Sequence, residues 1–463
     1  MKVKIYNTLT RSKQEIKPIV GDTIRIYSCG LTVYDFAHIG NLRKYIFDDL
    51  LKRTLLYFGY KVKHVMNITD VGHLTSDADE GEDKIEKRAK REKKTAREIA
   101  DFYQNAFIED LKKLNIALAD LMPKATDYIK EQIDLVKKLE DKGFTYRTSD
   151  GVYFDTSKDK NYGRLAGLQR QQLREGARIA KNPQKKHPSD FALWKFSPPR
   201  SSGQPRREME WPSPWGVGFP GWHLECSAMS TELLGQPFEI HTGGVDHIGV
   251  HHVNEIAQSE AAAGKPLAKY FIHSEHLLQE GKKMAKSRGN FLRLKDLEDK
   301  GFSPLDFRFL CLQAHYQSKL DFSWRSLAAA RSARKRINDF YWRSQGKGDS
   351  RFFSAAISSF EKKLADNLDT PAALEVIFTA ISAAREKGVG GREAKKFIEK
   401  INQVLQVLDK KKQIPPKIIE LAAERNKLRQ SGDFAKADCI RREIEKAGYR
   451  IEDFEDKSEI LPL

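Results

Sequence analysis

Two short stretches carry residues able to act on a polyphosphate. The first is His38-Ile39-Gly40-Asn41, which follows an extended segment and opens a helix-period one. A helix N-terminus at the carboxyl end of a strand offers free backbone N–H groups and a positive dipole, and both favour phosphate. Gly40 lets the chain approach the phosphates closely, and His38 can donate a hydrogen bond to a phosphoryl oxygen as charge develops in a transition state. The second stretch is "GKKMAKSRGN", Gly281 to Asn290, a glycine-flanked loop after a strand. Lys283, Lys286 and Ser287 can close over a triphosphate and neutralise it. In a chain with 81 basic residues a lysine cluster is usually plain surface, so each string alone is weak and their joint occurrence is the signal. A third feature is Cys29, in "YSCGLTVYDFAHIGN". The chain has only Cys29, Cys226, Cys311 and Cys439, too few and too scattered for a disulfide framework, which fits a reducing compartment where a thiol is free to bind metal or is buried and inert.

These residues need a scaffold. Thr23 to Cys29 alternates and is β-branched, a strand pattern. "NLRKYIFDDLLKRTLLYFG" then places Ile46, Phe47, Leu50, Leu51, Leu55 and Phe58 on one helical face, with Gly59 as its stop. "YKVKHVMNIT" is a second apolar strand, so residues 23–69 form a βαβ unit with parallel strands and a right-handed crossover. Ligands of such sheets sit beyond the carboxyl ends of the strands, where Cys29, Thr69 and Asp70 fall. Residues 82–97 are charge-dense and helix-prone, a solvated face. From about 116 to 220 the pattern is irregular and punctuated by Pro and Gly, as in an insertion with a mobile basic loop. Strand candidates resume in "QPFEIHTGGVDHIG" and "KYFIHSEHLL", and beyond 325 the periodicity is helical. The expected fold class is α/β: a Rossmann-like parallel-sheet catalytic domain split by an insertion, followed by an all-α helical bundle. The expected domains are 1–115 and 221–325 for the two catalytic halves, 116–220 for the insertion and 326–463 for the helical part.

With 463 residues the chain exceeds one ordinary domain, and no apolar run is long enough to span a bilayer. The N-terminal residues lack an apolar export core, which predicts a cytoplasmic protein. A net charge of +17 favours a polyanionic partner, nucleic acid first, against the plainer reading of a solubility charge.

Taken together, "YSCGLTVYDFAHIGN", "NITDVGHLTSDADEGEDKI", "GWHLECSAMS", "GGVDHIGVHHVNEIAQSE" and "KKMAKSRGN" stand in the order and spacing of one family. They resemble the cysteinyl-tRNA synthetases, within the class I aminoacyl-tRNA synthetases. The resemblance spans nearly the whole chain. It implies ATP-dependent, Mg²⁺-assisted activation of L-cysteine to cysteinyl-adenylate, transfer to the 3′ end of tRNA-Cys, and a monomer. It also implies one tightly held Zn²⁺ on Cys29, Cys226, His251 and Glu255. His251 and Glu255 are four apart on one helical face, which suits shared ligation, though His247 and His252 are rivals on spacing alone. A zinc ion reads the softness of a thiolate, where a pocket judging size alone separates near-isosteres by only ~10²-fold. No editing domain is then needed.

The resemblance further implies that His38, Asn41, Lys283 and Lys286 serve catalysis, with Gly40, Gly244, Asp246 and Lys286 at the nucleotide. Thr69, Trp222 and Asp246 are substrate contacts on the same footing, Trp222 packing against the small side chain. Basic residues of "RSARKRIND" and "AERNKLRQSGDFAKADCIRREIE" would meet tRNA phosphates. The sequence departs from the family at Asn41, where many relatives have His, at Ala285 in place of Ser, at Val253 in place of an acidic residue, and in lacking the Gly-Thr-x-Trp ending. Two other readings compete: a ligase joining activated cysteine to a small amine, which would lack the basic helices of residues 390–463, and a catalytically inactive RNA-binding protein, which would be expected to have lost His38 or a signature lysine.

Overall fold

The computed structural model describes residues 1–72, 83–167, 183–198, 207–283, 291–409, 414–453 and 458–462. It divides into two compact units, Met1–Val407 and Leu408–Leu463.

The first unit opens with an antiparallel hairpin, β1 (Lys4–Asn7) and β2 (Ser12–Glu15). The βαβ unit follows as β3 (Thr23–Ser28), α1 (Ile39–Tyr57) and β4 (Lys61–Met66), with β3 and β4 parallel from Thr23↔Lys61 to Ser28↔Met66. Helix α1 starts two residues earlier than the apolar period suggests. His38 is its N-cap: His38 Nδ1 accepts from the Asn41 N–H at 3.2 Å, and Asn41 Oδ1 accepts from the His38 N–H at 3.2 Å. This reciprocal cap satisfies two orphan donors and pulls the His-Ile-Gly-Asn run into the first turn.

Helices α2 (Lys84–Glu92) and α3 (Ala96–Lys113) come next. The region expected to be irregular instead holds α4 (Ile129–Asp141) and an antiparallel sheet of β5 (Thr145–Arg147), β6 (Gly151–Phe154), β7 (Phe191–Phe196) and β8 (Gly218–Pro220). These strands are too short for a clear alternation. Cross-strand pairing and stacked rings, Phe154 on Phe144 at 5.8 Å and on Phe191 at 5.1 Å, hold them together.

The parallel sheet resumes with α5 (Trp222–Leu234), β9 (Phe238–Gly244), α6 (His251–Ala263) and β10 (Ala268–Ser274). Its strand order is β10-β9-β3-β4, all parallel. The chain runs outward from β3 to β4 on one side and from β9 to β10 on the other, so a topological switch point lies between β3 and β9. Strands β11 (Leu277–Gln279), β12 (Lys282–Lys283) and β13 (Leu320–Phe322) form a small separate sheet, with α7 (Leu294–Glu298) and α8 (Pro304–Leu312) between the last two. Helices α9 (Trp324–Arg343), α10 (Ser350–Ala365), α11 (Thr370–Glu386) and α12 (Gly391–Leu405) complete the unit.

The second unit pairs α13 (Pro416–Gln430) with α14 (Phe434–Lys446) and adds a hairpin, β14 (Tyr449–Asp453) and β15 (Ser458–Pro462). Its core is small, centred on Ile418, Ala422, Ile444 and Ile451. Two arginines assigned to tRNA phosphates from sequence are instead internal. Arg334 is buried against Asp306 at 2.8 Å, and Arg425, also buried, grips Asp453. Each sits on the apolar face of its helix, where a guanidinium is retained only with a carboxylate partner.

The Arg425 hydrogen bonds hold Asp453 well below the usual carboxylate range. A depressed carboxylate contributes stability at neutral pH that is lost as pH falls through its folded value. Asp453→Asn is therefore expected to weaken hydrogen-exchange protection of α13 in the full chain at pH 7 by about 1–2 kcal/mol, allowing for the water that reaches the carboxylate. Unchanged protection would show that the pair contributes nothing.

Candidate active site and metal centre

Strands β3 and β9 end side by side, and the Cys29 N–H extends their ladder to the Thr242 carbonyl at 3.3 Å. This delivers Cys29 to the switch point. Cys226 arrives on α5, and His251 and Glu255 on the first turns of α6. All four are buried, and their ligand atoms lie within 4.8 Å of one another. A second group meets the same limit: Cys29, His241, His252 and Glu255. The two share Cys29 and Glu255, so the rival His252 is close by and His241 joins it, while His247 belongs to neither.

Glu255 is the hub. Its Oε1 lies 2.9 Å from His251 Nε2 and its Oε2 lies 2.7 Å from His241 Nε2. Burial alone would raise its pKa, but the two imidazoles outweigh burial and hold it well below the usual carboxylate range. Burial would likewise lower His251, but Glu255 reverses this and raises it to about 10. A hydrogen bond from Cys29 brings Cys226 down to about 7, whereas burial pushes Cys29 up. One thiol thus supports the other as thiolate. Around this core His223 Nδ1 meets His251 Nδ1 at 3.0 Å, and His252 Nδ1 meets His273 Nε2 at 2.8 Å. Gly243 makes room for the imidazoles, since a Cβ there would lie 2.6 Å from His252 Cε1.

Two thiols, an imidazole and a carboxylate are donors that zinc accepts, and a tetrahedral ion with bonds of ~2.0–2.3 Å needs donors about this close. The residues therefore fit the ion. His223, His241 and His273 were missed from sequence because their ring nitrogens converge only through the pairing of β9 with β10 and the packing of α5 on α6.

The other predicted residues that the structure describes stand at the start of α5, after β4, at the end of β9 and in the first turn of α1. The Trp222 ring begins α5 and lies 4.5 Å from the His251 ring. Thr69 is buried in the segment after β4, where it forms a parallel bridge with Thr32, its main chain bonded to Leu31 and Val33. Gly244 ends β9, and Asp246, in the 3-10 turn that follows, pairs with His276 at 3.1 Å. His38, Gly40 and Asn41 form the first turn of α1. Because His38 Nδ1 accepts a hydrogen bond, a neutral ring carries its proton on Nε2, a donor suited to phosphate. Asn41 retains a capping oxygen, which accounts for its tolerance at this position, and Val253 is buried. The main chain of Lys283 pairs with Leu278 in β12, while the Lys283 side chain and all of Lys286 and Ala285 lie outside the described residues.

A parallel sheet split by an insertion, with a helix N-terminus and a metal-capable cluster at its switch point, is the arrangement that the resemblance to the class I aminoacyl-tRNA synthetases implies. Solved structures agree on the fold: Mycobacterium tuberculosis methionyl-tRNA synthetase in complex with methionyl-adenylate superposes with a TM-score of 0.57 at 14% identity, covering 84% of this chain and 89% of that one. An Agrobacterium radiobacter LeuRS ternary complex does so with 0.61 at 12% identity, covering 85% and 84%. The family model for the "tRNA synthetases class I (C) catalytic domain" matches residues 15–332. "Cysteine--tRNA ligase 1" of Burkholderia lata is 45% identical over 98% of this chain and 95% of its own length. "Cysteine--tRNA ligase" of Chlamydia pneumoniae is 42% identical over 99% and 98%. The chain belongs to the cysteine–tRNA ligase family. Among the described residues no helix is long and apolar enough to cross a membrane.

Proposed function

We propose that this chain activates L-cysteine with ATP and transfers it to tRNA-Cys, with Zn²⁺ held by Cys29, Cys226, His251 and Glu255. The observation that carries this reading is the convergence of those four buried side chains at the switch point of the sheet. The Cys226–His251 side of the cluster is favoured over the His241–His252 side because Trp222, the residue the resemblance sets against the substrate's small side chain, packs its ring 4.5 Å from that of His251. His241 then holds the second oxygen of Glu255, as outer partners of metal ligands commonly do. When bound, zinc supplies a soft Lewis acid that takes thiolate far better than hydroxyl.

The chain's own residues do the rest. Thr69 receives the substrate's ammonium. Gly244 and Asp246 line the nucleotide, and Asp246 is braced by His276. ATP, with Mg²⁺, lies across the N-terminus of α1, where His38 Nε2 donates to phosphate and Gly40 permits close approach. Lys283 and Lys286 neutralise the leaving pyrophosphate. Attack of the amino-acid carboxylate on the α-phosphate is in line and driven by positioning and charge stabilisation, so no general base is required. The basic chain carries the tRNA, and we place the protein in the cytoplasm as a monomer.

The test is charging of tRNA-Cys with labelled cysteine, ATP and Mg²⁺. Cysteine-dependent charging is expected. Cysteine-dependent pyrophosphate exchange without charging would overturn the tRNA part of the reading and favour a small amine as acceptor.

A further inference from the structure

Two ends of the cysteine substrate must be held at once, and one buried side chain spans the segments that hold them. Asn67 follows β4, and its Oδ1 accepts the Gly30 N–H at 2.8 Å while its Nδ2 donates to Thr69 Oγ1 at 3.0 Å. Gly30 directly follows Cys29, and the approach is close: a Cβ on Gly30 would lie 1.6 Å from the Asn67 carbonyl oxygen. The orientation of the amide is therefore decided by chemistry. A backbone N–H can only donate, so the amide oxygen must face Gly30 and the amide NH₂ must face Thr69.

The consequence falls on the Thr69 hydroxyl, which has one donor and two lone pairs. Asn67 occupies one lone pair. One lone pair remains, and only a donor satisfies it. The main chain of Thr69 is separately tied to Leu31 and Val33, so its backbone does not depend on Asn67.

We propose that Asn67 is a positioning residue that fixes the Thr69 hydroxyl so that its remaining lone pair accepts from the α-ammonium of the amino acid, in a frame shared with Cys29. This rests on Thr69 being the ammonium contact. It assigns to the amide no role in telling thiol from hydroxyl, because cysteine and serine carry the same ammonium.

The experiment is pyrophosphate exchange with the zinc-loaded full chain and its Asn67→Ala variant. The Michaelis constant for cysteine is expected to rise about 5- to 10-fold, the worth of the one neutral hydrogen bond that is lost. That for ATP should stay within about twofold, and the serine-to-cysteine ratio of kcat/KM should not move. If Asn67→Ala does not fold, Asn67→Ser serves: its shorter polar side chain cannot reach Thr69. An unchanged cysteine constant, an equal rise for ATP, or a shift of the ratio toward serine overturns the proposal, the last because the amide would then act through Cys29. Thr69→Val separates the two layers. If it leaves the cysteine constant alone, the ammonium reading itself falls. If it raises that constant while Asn67→Ala does not, only the role of Asn67 falls.

Discussion

Cys29→Ser is expected to leave the protein folded but without stoichiometric zinc, and to lower cysteine activation by more than the about 10- to 100-fold that losing an outer partner of a metal site usually costs. The substitution changes one atom in a buried position, so packing is nearly conserved. What changes is ligation. Serine is a hard, weakly acidic donor, while Cys226, His251 and Glu255 remain as three. The same variant should lose preference for cysteine over serine, since discrimination then rests on size, which separates near-isosteres by only ~10²-fold. Metal analysis by atomic emission and pyrophosphate exchange with both amino acids check this. A variant that kept one zinc per chain would show that Cys29 is not a ligand, and would move attention to the remaining donors around His241 and His252.

Arg308→Met is expected to destabilise the first unit by about 3–5 kcal/mol, far more than a surface change. The fully buried Arg308 on α8 makes three kinds of contact: to Asp49 Oδ2 on α1 at 2.6 Å, to the Leu405 carbonyl at the end of α12 at 2.7 Å, and to the Leu114 carbonyl at 3.0 Å. Asp49 keeps Arg53 at 2.9 Å, so the loss falls chiefly on the two carbonyls, which have no water to turn to. Nearby, Arg334 and Asn338 hold the Val407 carbonyl, at 3.1 and 3.3 Å. Arginines thus anchor the last residues of the first unit to the helix that carries His38. Arg308→Lys should recover little, because an ammonium cannot serve a planar three-way site. Thermal unfolding of both variants, read by the first unit's tryptophans, checks this. A midpoint unchanged in Arg308→Met would mean that apolar packing replaces the network without loss.

Local chemistry was legible wherever one element contained its own signal. The βαβ unit could be read because β3, α1 and β4 are contiguous and each keeps a clear period. His251 and Glu255 could be paired because four residues on a helix share a face. The insertion's sheet could not, because strands of three to six residues show no secure alternation, and their pairing is set by contacts between β6 and β7 across a long intervening segment. The internal roles of Arg334 and Arg425 were equally hidden, since a basic residue looks the same whether it faces phosphate or Asp306.

By itself, then, the sequence determined the types of donor available, the parallel α/β class, and the order in which the signature residues appear, all of which follow from composition and local period. The meeting of Cys29 with Cys226 came from the family resemblance and not from their spacing, and only the tertiary structure decided that His241 as well as His251 grips Glu255 and that Asn67 joins Gly30 to Thr69. The reason is physical: these contacts are made by the register of β3 against β4 and β9 and by the packing of α5 on α6, and neither leaves a trace in the spacing of residues along the chain.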